Sequence, residues 1–399
     1  MKALLTLLVT AASLYASDNP WIQQGDDDFY NLDYDQAIAA YEKAVAGNPE
    51  DPVYHNHLAQ GLLYREMYRD GALESELVSG NNSFLRRPKL EPPADIEKRF
   101  FCEIDRSMQF SQARIAKNPR DTGALHALSV ALALLANYGF LVRKTWRASL
   151  ADANQARKYD AMVTQIDPTD YDAKFLQGGY DYIVGNLSWG MRAIGFIAGY
   201  HGDKQRGIRT IEEVAAKGKE NNVDAQIVLC ALYRREGQAT RAIPLVTSLI
   251  QRYPRAWLLR FELAQTYASI GERRNALDTL SEIARMKQEN AAGYDRVAWE
   301  KIYYETGNLE FWFNDLDRAL VNLRKATATQ QQLKELDLNT GVLALMRQGQ
   351  IYDLQNRHNL AIKAYQQAAK FAPEAEAARE SQHYINSPYT RPARASERG

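Results

Sequence analysis

Apolar residues recur at spacings of three and four along most of this chain. Leu229, Leu232 and Tyr233 make one such run, and Ile243, Val246, Leu249 and Ile250 make the next. That is the period of a helix with one buried face. Pro254 stops the second of these helices. The pattern then returns at a constant offset of 34 positions, which pairs Cys230 with Ala264, Tyr233 with Tyr267 and Ala242 with Ala276. Small residues at two fixed places in each copy let two helix backbones approach closely. The sequence therefore predicts antiparallel helix pairs, none able to bury its apolar face alone.

Similar spacings frame both ends of the chain. Trp21, Gly25, Ala37, Tyr41, Ala44 and Pro49 open it, and Gly349, Tyr352, Ala361, Tyr365, Ala368 and Pro373 close it; the Gly-to-Ala interval is 12 in both. Between them the pattern drifts. Residues 51–68 read as helix, 79–93 as a loop with a Pro92–Pro93 pair, and 94–117 as helix again. A strongly apolar helix is expected over 124–141 and an amphipathic one over 149–166, ended by Asp167-Pro168. Residues 291–329 form a lengthened unit in which Ala319, Leu323 and Ala326 repeat the second-helix spacing.

A 34-residue period with these small and aromatic positions resembles the tetratricopeptide repeat, or TPR, superfamily. The resemblance implies an all-α fold, an α-solenoid of TPR and TPR-like antiparallel helix pairs. It covers 17–385, with clear units near 18–51, 223–256, 257–290 and 342–375. A fainter likeness runs from Gly195-Phe196 through Gly202-Asp203 and Gly207 to Tyr253-Pro254. It is to bacterial exported TPR proteins and to the inclusion-body-clearance TPR family. Neither is known for catalysis.

TPR superhelices commonly bind a peptide on a concave face lined by first helices. Carried onto this chain, the lining positions are Ile22, Asp26 and Phe29; Ile227, Ala231 and Arg234; Phe261, Gln265 and Ala268; and Met346, Gln350 and Asp353. The candidate peptide groove is Ile227, Arg234, Arg235, Phe261, Gln265, Met346 and Gln350. The Lys and Asn pair with which chaperone-binding TPR domains clamp a C-terminal carboxylate is absent from these positions. A solvated helix end is an equal reading of Arg234 and Arg235.

Composition narrows the partners. The chain has 399 residues, is 46% hydrophobic and 25% charged, and has a formal net charge of zero. No general attraction to nucleic acid follows. Lys2 and the apolar run Ala3–Ala12 resemble a signal peptide cleaved near Ala16, which implies export to a bacterial periplasm or secretion. Residues 386–399, with Arg391, Arg394 and Arg398, read as a disordered basic tail.

The stretch 183–200 interleaves glycines with Trp189, Phe196 and Tyr200 and carries Arg192 as its only formal charge. Closely packed helices are the favoured reading, a membrane-touching element the other. The two cysteines, Cys102 and Cys230, leave room for one disulfide, but a thiol at a TPR small-residue position packs as well as alanine. No catalytic, nucleotide-binding or metal-binding motif is present, and no cofactor is expected. His55 and His57 are two apart and point different ways on a helix, and Asp26–Asp28 read as a solvated charged turn.

Two functions stand at this stage. One is an exported, non-catalytic scaffold or adaptor that binds a protein or peptide. The other is a membrane-associated assembly component anchored by 183–200 or by an uncleaved N-terminus.

Overall fold

In the computed structural model, the structure describes residues 19–69, 71, 73, 91–187, 201–329, 332 and 338–391. The expected signal peptide, Trp189 to Tyr200 of the glycine–aromatic stretch, and the chain beyond Arg391 lie outside them. The fold is all-α, 79% helical, with no strand among the described residues. The chain forms two compact units, 1–258 and 259–399.

The first unit is built of helix pairs. They are α1 (Pro20–Tyr30) with α2 (Tyr34–Gly47), α3 (Pro52–Arg69) with α4 (Ala94–Lys117), and α5 (Thr122–Tyr138) with α6 (Trp146–Ile166). Then follow α7 (Phe175–Gly185) with α8 (Lys204–Lys217), and α9 (Asn222–Arg235) with α10 (Ala242–Arg252). Each helix from α1 to α6 and from α7 to α10 packs on the next, and α3 also packs on α1 and α5.

Helix α11 (Trp257–Ser269) spans the boundary. The second unit continues with α12 (Arg273–Gln288), α13 (Trp299–Trp312), α14 (Leu316–Thr327), α15 (Leu338–Leu354), α16 (His358–Phe371) and α17 (Glu376–Asn386). Its core gathers Tyr304, Phe311, Leu323, Ile351 and Tyr365.

One turn recurs within the pairs. Two residues after a first helix ends, the backbone turns left-handed, at Leu32, Gly237, Gly271, Asn314 and Asn356. The next amide then donates back across the turn: Asp33 to Asp28, Gln238 to Tyr233, Glu272 to Tyr267, Asp315 to Glu310 and Arg357 to Tyr352, at 2.7–2.9 Å. This is the Schellman closure, which favours Gly or Asn at the left-handed residue. It places residues 299–327 among the regular pairs.

Starts are capped in the ordinary way. The side chains of Asn19, Asp121 and Asp203 accept from Trp21, Ala124 and Arg206 amides, closing α1, α5 and α8.

Helix α5 is apolar nearly all round. The run Thr122–Arg143 is long and apolar enough to cross a membrane, yet 94% of its most apolar window is buried inside the protein, as a core helix would be. Helices α7 and α8 approach at glycines. A β-carbon on Gly207 would collide with the Tyr182 backbone, and one on Gly178 would lie 2.8 Å from Ile211. The described part of the glycine-rich region is thus a close helix contact.

Neither cysteine is in a disulfide; Cys102 is exposed and Cys230 buried. Cys230 Sγ lies 3.9 Å from the Ala242 carbonyl oxygen, where the two small residues meet. At the end of the chain, Tyr389 is buried and its amide donates to Asp353 at 2.8 Å, while Arg391 donates to the Phe311 carbonyl. Residues 387–391 therefore lie against the last repeat.

Candidate functional site

The first helices of the second unit are joined by polar side chains. Gln265 on α11 reaches Glu305 on α13 at 3.5 Å. Lys301, on the same helix as Glu305, sits over the Phe261 ring at 5.8 Å. Further along α13, Asn308 accepts from Arg347 of α15 at 3.2 Å, and Arg347 also donates to Gln350 at 2.6 Å. The Arg347 guanidinium stacks over Phe311 and Trp312, 4.6 and 4.7 Å from the ring centres. Trp312 is 49% exposed, one of the few large apolar side chains open to solvent among the described residues. An exposed tryptophan beside a planar cation is the kind of anchor that protein interfaces enrich.

The expected groove residues fall as follows. In the first unit, Ile227 is 39% exposed, and Arg234 and Arg235 are half-buried near the end of α9, with Arg235 5.9 Å from the Tyr182 ring centre. In the second unit, Gln265 is half-buried in the polar ladder. Phe261, Met346 and Gln350 are buried, Met346 within the apolar core of the unit and Gln350 as the acceptor of Arg347. Arg347, Asn308, Glu305 and Trp312 belong to the same faces and were not singled out in the sequence. Their one sequence signal is position, since each lies on a first helix.

The first unit carries a different set, on and beside its own first helices. Tyr30 of α1 donates to Asp224 of α9 at 3.2 Å and its ring meets that of Tyr253 at 5.1 Å. Arg255, in the turn after α10, donates to Asp33 at 2.6 Å and to Asp28 at 3.2 Å, and its amide donates to Asn31. The first repeat is thereby tied to residues more than 190 positions away within one unit. Asp28, expected in a solvated turn, is buried in this ion pair.

Asp26 stands beside it. Its carboxylate accepts from Tyr41 at 2.8 Å and lies 3.4 Å from His57 Nδ1. Desolvation and the Asp224 charge push its carboxyl up to about 7 against the help of Tyr41 and Arg252. His57 is buried on α3, and burial drives its imidazole down to about 3, so it is neutral. Glu220, just ahead of α9, is also buried. Desolvation, with the charges of Asp172, Asp170 and Asp26, pushes it up to about 9 despite nearby His126.

His126 and Asp160 form a buried pair at 2.8 Å. Burial opposes the charged imidazole, but the Asp160 carboxylate holds it up at about 10. His55 is taken up by Glu103 and the Pro49 carbonyl. Among the described residues, no group of three or more His, Cys, Asp or Glu could hold a metal ion.

The Tetratricopeptide repeat family model matches residues 22–63, and a second model of the same description matches 342–374. No curated protein sequence matches the chain. Among solved structures, it is similar to a thermophilic TPR protein of Thermus thermophilus, at 15% identity, TM-score 0.34, covering 63% of this chain and 98% of that one. It is also similar to yeast Tom70, at 12% identity, TM-score 0.41, covering 92% and 94%. A third is human IFIT1, crystallised as a dimer with m7Gppp-AAAA, at 14% identity, TM-score 0.45, covering 93% and 81%. At these identities the likeness concerns the fold alone.

Proposed function

The chain belongs to the tetratricopeptide repeat superfamily, and from that premise we propose that it is a non-catalytic scaffold that binds a protein or peptide on the first-helix faces of its repeats. The superfamily's fold suggests a protein-interaction scaffold. What carries the finer reading is the second unit's polar ladder with the exposed, arginine-stacked Trp312 at its edge. Desolvating such an aromatic–cation pair contributes affinity, while Gln265, Glu305 and Asn308 supply orientation. In the first unit, Ile227, Arg234 and Arg235 are the corresponding proposed contacts. Phe261, Met346 and Gln350 act from beneath the surface, by shaping the helices that carry it. Neither nucleic acid nor a cofactor is part of this reading.

The reading includes export to a bacterial periplasm or beyond, resting on Lys2 and the apolar run that follows it. The test is to purify the chain from Ser17 onward without detergent and cross-link it to an envelope fraction of the exporting cell. A soluble protein that captures one envelope protein supports the scaffold. A chain that needs detergent or floats with lipid contradicts it and favours a membrane-associated component.

A further inference from the structure

A proline sets the course of the chain after α17. Pro388 restricts its own backbone and keeps Ser387 extended, at φ −135° and ψ 92°, so the chain leaves the helix as a stretched segment over 387–391. Pro388 and Thr390 are exposed, while Tyr389 between them is only 8% exposed. One buried aromatic in an otherwise exposed, extended segment is how a docked peptide is anchored.

The segment crosses two first helices. At α15, the Tyr389 amide donates to Asp353 Oδ2 at 2.8 Å. That carboxylate is held in place: Tyr365 donates to the same oxygen at 2.7 Å, and His358 Nδ1 lies 2.6 Å from Oδ1. The Tyr389 ring meets Tyr384 edge-on at 5.4 Å and Phe311 at 6.3 Å. Two residues on, at α13, Arg391 donates to the Phe311 carbonyl at 2.6 Å, and its guanidinium lies 4.8 Å from the Phe311 ring centre. This carbonyl is in the last turn of α13, where a helix end favours a cation, and the ring favours a planar one. Arg347 stacks on the same ring and on Trp312, so the seat of the segment runs on into the polar ladder.

We infer that residues 387–391 are an internal ligand on the first-helix face of the second unit, and that the seat they fill takes an extended partner segment with an aromatic residue two positions before an arginine. This rests on the scaffold reading and names the chemistry of its partner. Each contact asks only for what such a segment carries: a backbone amide for Asp353, a ring for the place beside Phe311 and Tyr384, and a guanidinium for the end of α13. The tethered segment competes at an effective concentration on the order of millimolar, so a free peptide has to displace it. A partner gains Trp312 in return, which the internal segment leaves exposed.

The experiment follows the anisotropy of a fluorescein-labelled peptide, Asn-Ser-Pro-Tyr-Thr-Arg-amide, titrated with the full chain, with Tyr389→Ala/Arg391→Ala and with the milder Arg391→Ala alone. Circular dichroism establishes that each variant is folded. The double variant is expected to bind the probe at least about tenfold more tightly than the parent chain, with Arg391→Ala between them. The same probe with alanine in place of its tyrosine should lose that binding. Equal affinity for the parent and every folded variant, or indifference to the tyrosine of the probe, overturns the inference. So does a parent chain that sediments as a dimer and is dissociated by the double substitution, since the occupant is then a second copy. Cross-linking to the envelope fraction judges the scaffold reading separately: capture without probe binding sinks only the seat, and probe binding without capture removes only the envelope partner.

Discussion

The ring of Tyr41 occupies the space that a side chain at Gly25 would need, so that a β-carbon there would overlap Cε1 of the ring. Gly349 and Tyr365, at the other end of the chain, stand in the same relation. In each pair the glycine lies on the first helix and the tyrosine on the second. Gly25→Ala and Gly349→Ala should each destabilise their unit by about 1–3 kcal/mol, the cost of overpacking a tight contact. Gly179→Ala is the control. It lies within α7 with nothing within 4 Å of the added carbon, and should be neutral or stabilising by up to about 1 kcal/mol. Urea unfolding midpoints read all three.

Arg255 holds the first repeat within its unit. Arg255→Ala removes two charge-assisted hydrogen bonds and leaves the buried Asp28 without that partner. A loss of about 2 kcal/mol is expected. It should appear as faster amide exchange in α1, with the second unit unchanged. Equal protection in the variant would show that the ion pair is incidental.

Glu220 predicts a pH effect with a definite sign. Its carboxyl is raised from 4.5 to about 9 in the folded chain, so folding takes up a proton between those values. Stability associated with this group is therefore present below about pH 4.5 and is lost as pH rises toward 9, with a limiting slope of about 1.4 kcal/mol per pH unit. Glu220→Gln lacks this dependence. Its melting temperature should exceed that of the parent protein by more at about pH 9 than at about pH 5. A constant difference would mean that Glu220 titrates normally.

The pairs were legible because their signal is local. The small-residue spacing, the aromatic positions and the 94–117 helix all lie within one or two helices, and the structure has them where the sequence puts them. Chemistry that depends on distant pairs was not legible. Asp28 reads as part of a solvated turn until Arg255 arrives 227 positions later, and nothing near Glu220 tells that it is buried. Trp312 and Arg347 meet only once α13 and α15 pack. The Schellman turns lay between these cases. Gly or Asn at 237, 271, 314 and 356 is a readable signal, but Leu32 fills the same place without it.

The end of the chain predicts a further loss. Tyr389 is buried, and its amide is bound by the Asp353 carboxylate, which also accepts from Tyr365 at 2.7 Å. Ending the chain at Ser387 should cost the second unit about 3 kcal/mol, comparable with deleting a large aromatic from a core. Thermal unfolding of the full and shortened chains measures it. An unchanged transition would assign residues 388–391 no part in stability.

The central claim, that first-helix faces carry the interaction, is tested most directly by placing a photo-crosslinking amino acid in vivo at four positions. Ile227 and Trp312 lie on first helices, and Met162 and Val321 are exposed positions on second helices. The account predicts one recurrent protein adduct from a first-helix position and none from Met162 or Val321. Adducts confined to the second-helix positions, or an unselective spread over all four, would contradict it.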